Sequence, residues 1–199
     1  MTTPLRSSLN SLGLMAVGGE NPELSGVEVD SRRVGEGTLF AAMPGTAVHG
    51  ANFVEKALAQ GAVAVLTDAA GAQLAGDAIR ATGAALVISE QPREALARAS
   101  ALWFGAQPQT MIAVTGTNGK TSVSTFVRQI WIEMDLPAVN LGTTGVEGAW
   151  AAPLAHTTPE PITLHRTLAQ AVGAGITHAA MEASSHGLDQ RRLDGVTLK

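Results

Sequence analysis

Met111-Ile-Ala-Val-Thr-Gly-Thr-Asn-Gly-Lys-Thr-Ser122 is an apolar run that enters a glycine loop, ends in Lys-Thr and opens a helix. Gly116 and Gly119 lack Cβ atoms, so the backbone can turn tightly and aim several N–H groups at one anion. Lys120 adds a positive charge, and the hydroxyl of Thr121 can ligate the Mg²⁺ that accompanies ATP. The positive end of the following helix dipole faces the same spot. The spacing G-x-x-x-x-G-K-[ST] would need glycine where Val114 stands, so the loop is the variant G-x-x-G-K-T. Upstream, Met111, Ile112, Ala113 and Val114 predict a short strand buried on both faces. Downstream, Val123, Phe126, Val127, Ile130 and Met134 recur at spacings of three and four and predict a helix with an apolar stripe, Ser124, Arg128 and Glu133 lying off it. Strand, loop, Lys-Thr and amphipathic helix together predict a nucleotide site.

Composition narrows the class. A chain of 199 residues holds one large domain or two small ones, either able to bury a core. Although 45% of residues are hydrophobic, no run of about 18 apolar residues occurs and no membrane insertion is expected. The N-terminus, Met1-Thr-Thr-Pro-Leu-Arg-Ser-Ser8, lacks the basic start and apolar core of a signal peptide. With no cysteine there are no disulfides, thiolate metal sites or thiol nucleophile. A cytoplasmic location fits these features. The net charge is −4 and the largest basic groupings are the pairs Arg32–Arg33 and Arg191–Arg192, so nucleic acid is not expected as a partner. Aromatic residues make up 4%, with no tyrosine, so base-stacking platforms are scarce. A small nucleotide is the expected ligand.

The fold class read from the sequence is α/β: a small N-terminal α/β domain over residues 1–107, then an incomplete P-loop-type parallel-sheet ATPase domain over 108–199. In the first part, Val27 and Val29 alternate with polar neighbours and Thr38–Met43 reads as a strand between Gly37 and Pro44. Asn52 is placed to cap a helix carrying Phe53, Val54, Ala57 and Leu58 that Gly61 ends. Ala62–Leu66 and Ala84–Ile88 read as strands around a helix that includes Ala78–Ala81. After Pro92 a helix presents Leu96, Ala99, Leu102 and Trp103 on one side. Gly105-Ala-Gln-Pro108 interrupts the pattern and marks a boundary. In the second part, Pro137–Leu141 and Thr177–Ala183 read as strands and Ile162–Val172 as a helix, the βαβ rhythm of a parallel sheet. Ligands of such sheets sit at the carboxyl ends of strands, so loops 116–120 and 184–188 are expected to line one cleft. Asp194-Gly-Val-Thr-Leu-Lys199 begins a further strand without a closing helix, and the chain reads as the front part of a longer protein.

Four segments occur in order: Asp30-Ser-Arg32, Thr115-Gly-Thr-Asn-Gly-Lys-Thr121, His156-Thr-Thr-Pro159 and Met181-Glu-Ala-Ser-Ser-His-Gly-Leu188. Together they resemble the Mur ligases of bacterial peptidoglycan synthesis, and within them the branch that makes the tripeptide precursor. The glycine loop is shared with folylpolyglutamate synthase, whereas the other segments at this spacing are more specific. The resemblance implies a UDP-binding N-terminal domain, a central ATPase domain and an absent C-terminal domain that would close the site. It implies ATP and Mg²⁺ as cofactors. UDP-MurNAc-L-Ala-D-Glu and an amino acid, meso-diaminopimelate ahead of lysine, would be the substrates, and the carboxylate would be activated as an acyl phosphate for amide formation.

Carried over residue by residue, the resemblance gives Gly116, Thr117, Asn118, Gly119, Lys120, Thr121 and Ser122 to ATP. It makes Lys120 and Glu182 catalytic and gives Thr121 and Glu182 to the metal. Val29 and Ser31 would meet the uridine end, and Thr157, Thr158, Ser184, Gln190 and Arg192 the MurNAc-dipeptide. Plainer readings stand beside these: Glu182 as a water-facing edge carboxylate, Ser31 as a turn serine, His186 as a residue that orders its loop, and Arg191 as a solvated charge. His156 departs from an asparagine found in related sequences, and Gly45-Thr-Ala-Val48 matches a substrate-touching loop in position only. Another amide ligase such as folylpolyglutamate synthase, a non-catalytic nucleotide or UDP-sugar binding module, and a P-loop kinase or GTPase are the competing functions. The amino acid selected and the oligomeric state are not encoded in a readable way, and the fragment alone is expected to be inactive.

Overall fold

The computed structural model describes residues 5–199, so Met1–Pro4, part of the stretch on which the leader reading rests, lie outside the described residues. The chain divides into two compact units, Met1–Trp103 and Phe104–Lys199. Among the described residues no helix is long and apolar enough to cross a membrane.

In the first unit β1 (Ser7–Ser8) pairs antiparallel with β2 (Glu23–Leu24). The main sheet consists of β3 (Gly26–Glu28), β4 (Thr38–Ala41), β5 (Ala62–Thr67) and β6 (Ala85–Ile88), in that spatial order and all parallel. Parallel strands are covered on both faces, and every residue of β4 is buried. α1 (Val54–Ala59) lies between β4 and β5, α2 (Ala69–Thr82) joins β5 to β6, and α3 (Pro92–Phe104) follows β6. Phe40, Val65, Val54, Ala57 and Ile79 meet in the core. Asp68 caps α2 by accepting from the Gly71 N–H at 2.7 Å.

Two expectations are corrected here. Asn52 is not a helix cap. His49 plays that part for a 3₁₀ turn (Gly50–Phe53), its Nδ1 accepting from the Ala51 N–H at 3.0 Å, while the Asn52 amide donates back to the His49 carbonyl. Leu102 is 55% exposed, because the buried face of α3 runs through Leu96, Ala99, Ser100 and Trp103 at spacings of three and four, which leaves residue 102 off the stripe.

In the second unit the spatial order is β7 (Thr110–Val114), β10 (His178–Glu182), β8 (Ala138–Gly142) and β9 (Gly145–Gly148). The first three run parallel and β9 is antiparallel to β8. The β8–β9 hairpin, absent from the sequence reading, turns through Thr143-Thr144, with Gly145 at φ 106° where a side chain would be strained. Crossovers are made by α4 (Lys120–Glu133) and α5 (Pro161–Gly173), and α6 (Ser185–Asp189) follows β10. Strand alternation puts Val139, Leu141, Ala179 and Met181 on the face covered by Leu164 and Leu168 of α5. Asn140, Ala180 and Glu182 therefore face α4, which packs on β8 and β10.

Of the phosphate-loop strand only Met111 is fully buried, contrary to the expectation of burial on both faces, because β7 forms an edge of this sheet. The Lys199 N–H donates to the Met111 carbonyl at 2.9 Å, and the Gln107 side chain accepts from the Thr197 N–H at 3.0 Å, so residues 197–199 lie along that edge. The apolar stripe of α4 is also turned out: Val123, Phe126, Ile130 and Met134 are 45–62% exposed. What α4 sets on the sheet is the face with Thr121, Ser124, Thr125 and Arg128, of which Ser124 is fully buried. The small Ser124 lets the helix approach the strands closely.

Candidate functional site

The loop after β7 has the backbone its glycines allow. Gly116 sits at φ 148° and Gly119 at φ 84°, the latter as the residue before the first turn of α4. Both conformations strain a side chain. The Lys120 ammonium donates to the Gly116 carbonyl at 2.7 Å, folded over an exposed loop formed by Thr115, Gly116, Thr117, Asn118 and Gly119. N–H groups at the start of α4 have no intrahelical acceptor, so the loop, the helix end and the ammonium converge on one place suited to an anion.

Glu182 stands where β10 ends, beside that loop. The residue is 1% exposed. Oε1 accepts from the Thr121 hydroxyl at 2.9 Å and from the Thr143 N–H at 3.1 Å. The two residues expected to share a metal are thus in contact, and the water-facing reading of Glu182 is overturned by burial. No described residue donates to Oε2. A hydroxyl and a carboxylate are hard oxygen donors of the kind Mg²⁺ takes, so the donor set fits that ion. Among the described residues no group of three or more His, Cys, Asp or Glu gathers elsewhere as a metal cluster.

Thr157 and Thr158 behave differently from one another. Thr157 is exposed enough to meet a ligand, its hydroxyl 3.0 Å from that of Thr143. Thr158 is 2% exposed, its hydroxyl donating to the Glu182 carbonyl at 3.0 Å and accepting from the Ser184 N–H at 2.9 Å. Ser184 caps α6 by accepting from the Gly187 N–H at 3.0 Å. Arg192 donates from Nη1 to the Thr158 carbonyl at 2.6 Å and from Nε and Nη2 to the Gln190 side chain at 3.0 and 2.7 Å. Thr158, Ser184, Gln190 and Arg192 are therefore brought together, and their polar atoms hold the end of β10 and the loop behind it in one network. Arg191 is not a free solvated charge, since it pairs with Asp194 at 3.3 Å.

In the first unit, Val29 and Ser31 border a cavity of about 430 Å³ whose other walls are Asp30, Arg32, Phe53 and Lys56. Ser31 is buried and Val29 is 37% exposed. Arg32 closes a forked contact on Asp30, donating from Nε at 2.9 Å and Nη2 at 2.7 Å. That hydrogen bonding holds the Asp30 carboxyl down to about 2, so it stays ionised at neutral pH. Phe53, expected within a helix, ends the 3₁₀ turn before α1 and is 47% exposed at the cavity. The sequence reading missed Lys56, and in the second unit Gly142 and Thr143; none of these lies within a motif. Residues 45–48 form an exposed loop.

Comparison with known proteins agrees across both units. Residues 23–103 match the model of the Mur ligase family, catalytic domain, and residues 114–199 that of the Mur ligase middle domain. The chain is 50% identical over 177 residues to the UDP-N-acetylmuramoyl-L-alanyl-D-glutamate--2,6-diaminopimelate ligase of Brucella melitensis, covering 88% of this chain and 35% of that protein. It is also 50% identical to the ligase of the same name from Agrobacterium fabrum, covering 88% and 34%. Among solved structures, one of a UDP-N-acetylmuramoyl-L-alanyl-D-glutamate--2,6-diaminopimelate ligase superposes with a TM-score of 0.69 at 30% identity, over 88% of this chain and 35% of that one. The chain spans about a third of the length of the curated relatives it matches. With two matched models that between them take in the cavity at Ser31, the glycine loop and Glu182, the chain belongs to the Mur ligase family.

Proposed function

We propose that this chain is the UDP-substrate-binding unit and the first part of the ATP-binding unit of an ATP-dependent amide ligase. The enzyme would act in the cytoplasm on UDP-MurNAc-L-Ala-D-Glu and join meso-diaminopimelate to it. The contact of Thr121 with Glu182 beside the Lys120 loop is the observation that carries this reading. The names of the relatives support the choice of substrate and amino acid.

A carboxylate resists attack by an amine until one of its oxygens becomes a good leaving group. Transfer of the γ-phosphoryl group of ATP to that oxygen gives an acyl phosphate, which the amine opens with release of phosphate. The two reactants are both anions. Lys120 and the N–H groups of Gly116–Ser122 offset that repulsion and stabilise charge as it develops on the phosphoryl oxygens. Thr121 and Glu182 would hold Mg²⁺, which neutralises phosphate charge when bound. Thr157, beside Thr143, is placed to orient the substrate, while Thr158, Ser184, Gln190 and Arg192 keep the Glu182 loop in position. At the other unit, Ser31 and Val29 would take the uridine end of the substrate. An assay of the full-length protein tests this reading: phosphate release should require ATP, the UDP-linked dipeptide and diaminopimelate together. Equal turnover with a folate substrate and glutamate would favour the other amide ligase instead.

A further inference from the structure

Gly142 ends β8, and its φ does not lie in the left-handed region, so freedom of the backbone does not explain it. Space does. A Cβ built on Gly142 would lie 2.6 Å from Cδ and 2.9 Å from Cγ of Glu182, and closer still to Oε1. Real side chains do not tolerate such distances. The strands cannot spread to relieve them, because β8 and β10 are joined in register, Leu141 opposite Met181, in the middle of the sheet. Nor is the carboxylate a loose end, since Glu182 is 1% exposed and held through Oε1 by Thr121 and Thr143.

We infer that Gly142 is a positioning residue: its missing side chain is the slot that seats the Glu182 carboxylate against the Thr121 hydroxyl, with the Thr143 N–H fixing its orientation. The next residue links the two halves of the site, since Thr143 meets Glu182 through its N–H and Thr157 through its hydroxyl. A methyl group at 142 must drive the carboxylate out of the slot and break both hydrogen bonds. Among the described residues the Glu182 side chain reaches the glycine loop and its helix through Thr121 alone, so the loop keeps its own backbone. This inference rests on the proposed role of Glu182 for its consequence in catalysis, but the slot itself does not.

Two measurements test it. In the 199-residue chain, Gly142→Ala should lower the Tm by about 4 °C or more, whereas in a Glu182→Ala background, where Cγ, Cδ and the oxygens are gone, the same substitution should change Tm little. Should Gly142→Ala fail to fold, folding of the double variant supports the slot just as well. Equal losses in both backgrounds, or failure of both to fold, would overturn it. In the full-length enzyme, Gly142→Ala should raise the Mg²⁺ concentration for half-maximal turnover tenfold or more, with KM for the UDP-linked substrate unchanged. An unaltered Mg²⁺ requirement in that variant would overturn the positioning role. If Glu182→Ala itself keeps the wild-type Mg²⁺ requirement, the proposed function of Glu182 fails, and the Tm comparison still decides the slot.

Discussion

Lys120 spends its ammonium on the Gly116 carbonyl, a bond made across an exposed loop and replaceable by water. Lys120→Ala should therefore leave the fold intact while removing the cation proposed to face the phosphates of ATP. A loss of kcat of about 10²–10³, the scale of one preorganised donor at a developing charge, is expected in the full-length enzyme with an unchanged far-UV spectrum. Activity near wild type at saturating ATP would show that the loop does not serve phosphate. The adjacent threonines divide by burial rather than by sequence. Thr157→Val should weaken the UDP-linked substrate and leave stability unchanged. Thr158→Val should cost about 1–3 kcal/mol, because the buried Glu182 carbonyl loses its donor and the half-buried Ser184 N–H its acceptor. Chemical denaturation of both variants, with substrate titration, separates the two; equal destabilisation would refute the division.

At the scale of elements, α5 carries a pH dependence. His165 is 1% exposed, with its Nε2 buried and unpartnered among the described residues. Burial lowers its pKa below 6.5, against the smaller opposing influences of a backbone hydrogen bond with Asp194 and the charge of Glu160. The folded unit thus binds fewer protons than the unfolded chain as pH falls through 6.5. Stability from the neutral ring is complete above that value and declines below it, by at most about 1.4 kcal/mol per pH unit. Denaturation of the chain at a series of pH values from 7.5 to 5.5 should show the decline, and His165→Leu should flatten it. An unchanged slope in that variant would assign the effect to another group. Helix α4 shows a different property of elements. Its period was legible, yet the direction of the stripe was not, because periodicity fixes which residues share a face and leaves open what that face meets.

At the scale of the molecule, the two compact units carry two separate candidate sites. UDP and ATP·Mg²⁺ should then each raise the Tm of the chain alone, and their losses should separate. Lys120→Ala is expected to remove the ATP response and keep the UDP response, while Phe53→Ala, at the cavity of Ser31 and Lys56, should do the reverse. Loss of both responses in either variant would contradict independent sites.

Features set within a few residues of one another were legible in the residues alone. The parallel α/β class followed from short apolar runs alternating with helical periods, and the tight turn suited to an anion from glycines at positions 116 and 119 before Lys-Thr, because positive φ and helix initiation are local properties. The tertiary structure decided which strands are neighbours. Strand order placed β7 at an edge and β10 between β7 and β8, and so brought Glu182 to Thr121 across 61 residues and against Gly142 across the sheet. The same order buried the Thr158 hydroxyl, which a motif reading assigns to a ligand, inside the loop it supports. Side-chain type and spacing say nothing of such contacts, since the distance between residues far apart in the chain is set by the packing of the elements that carry them.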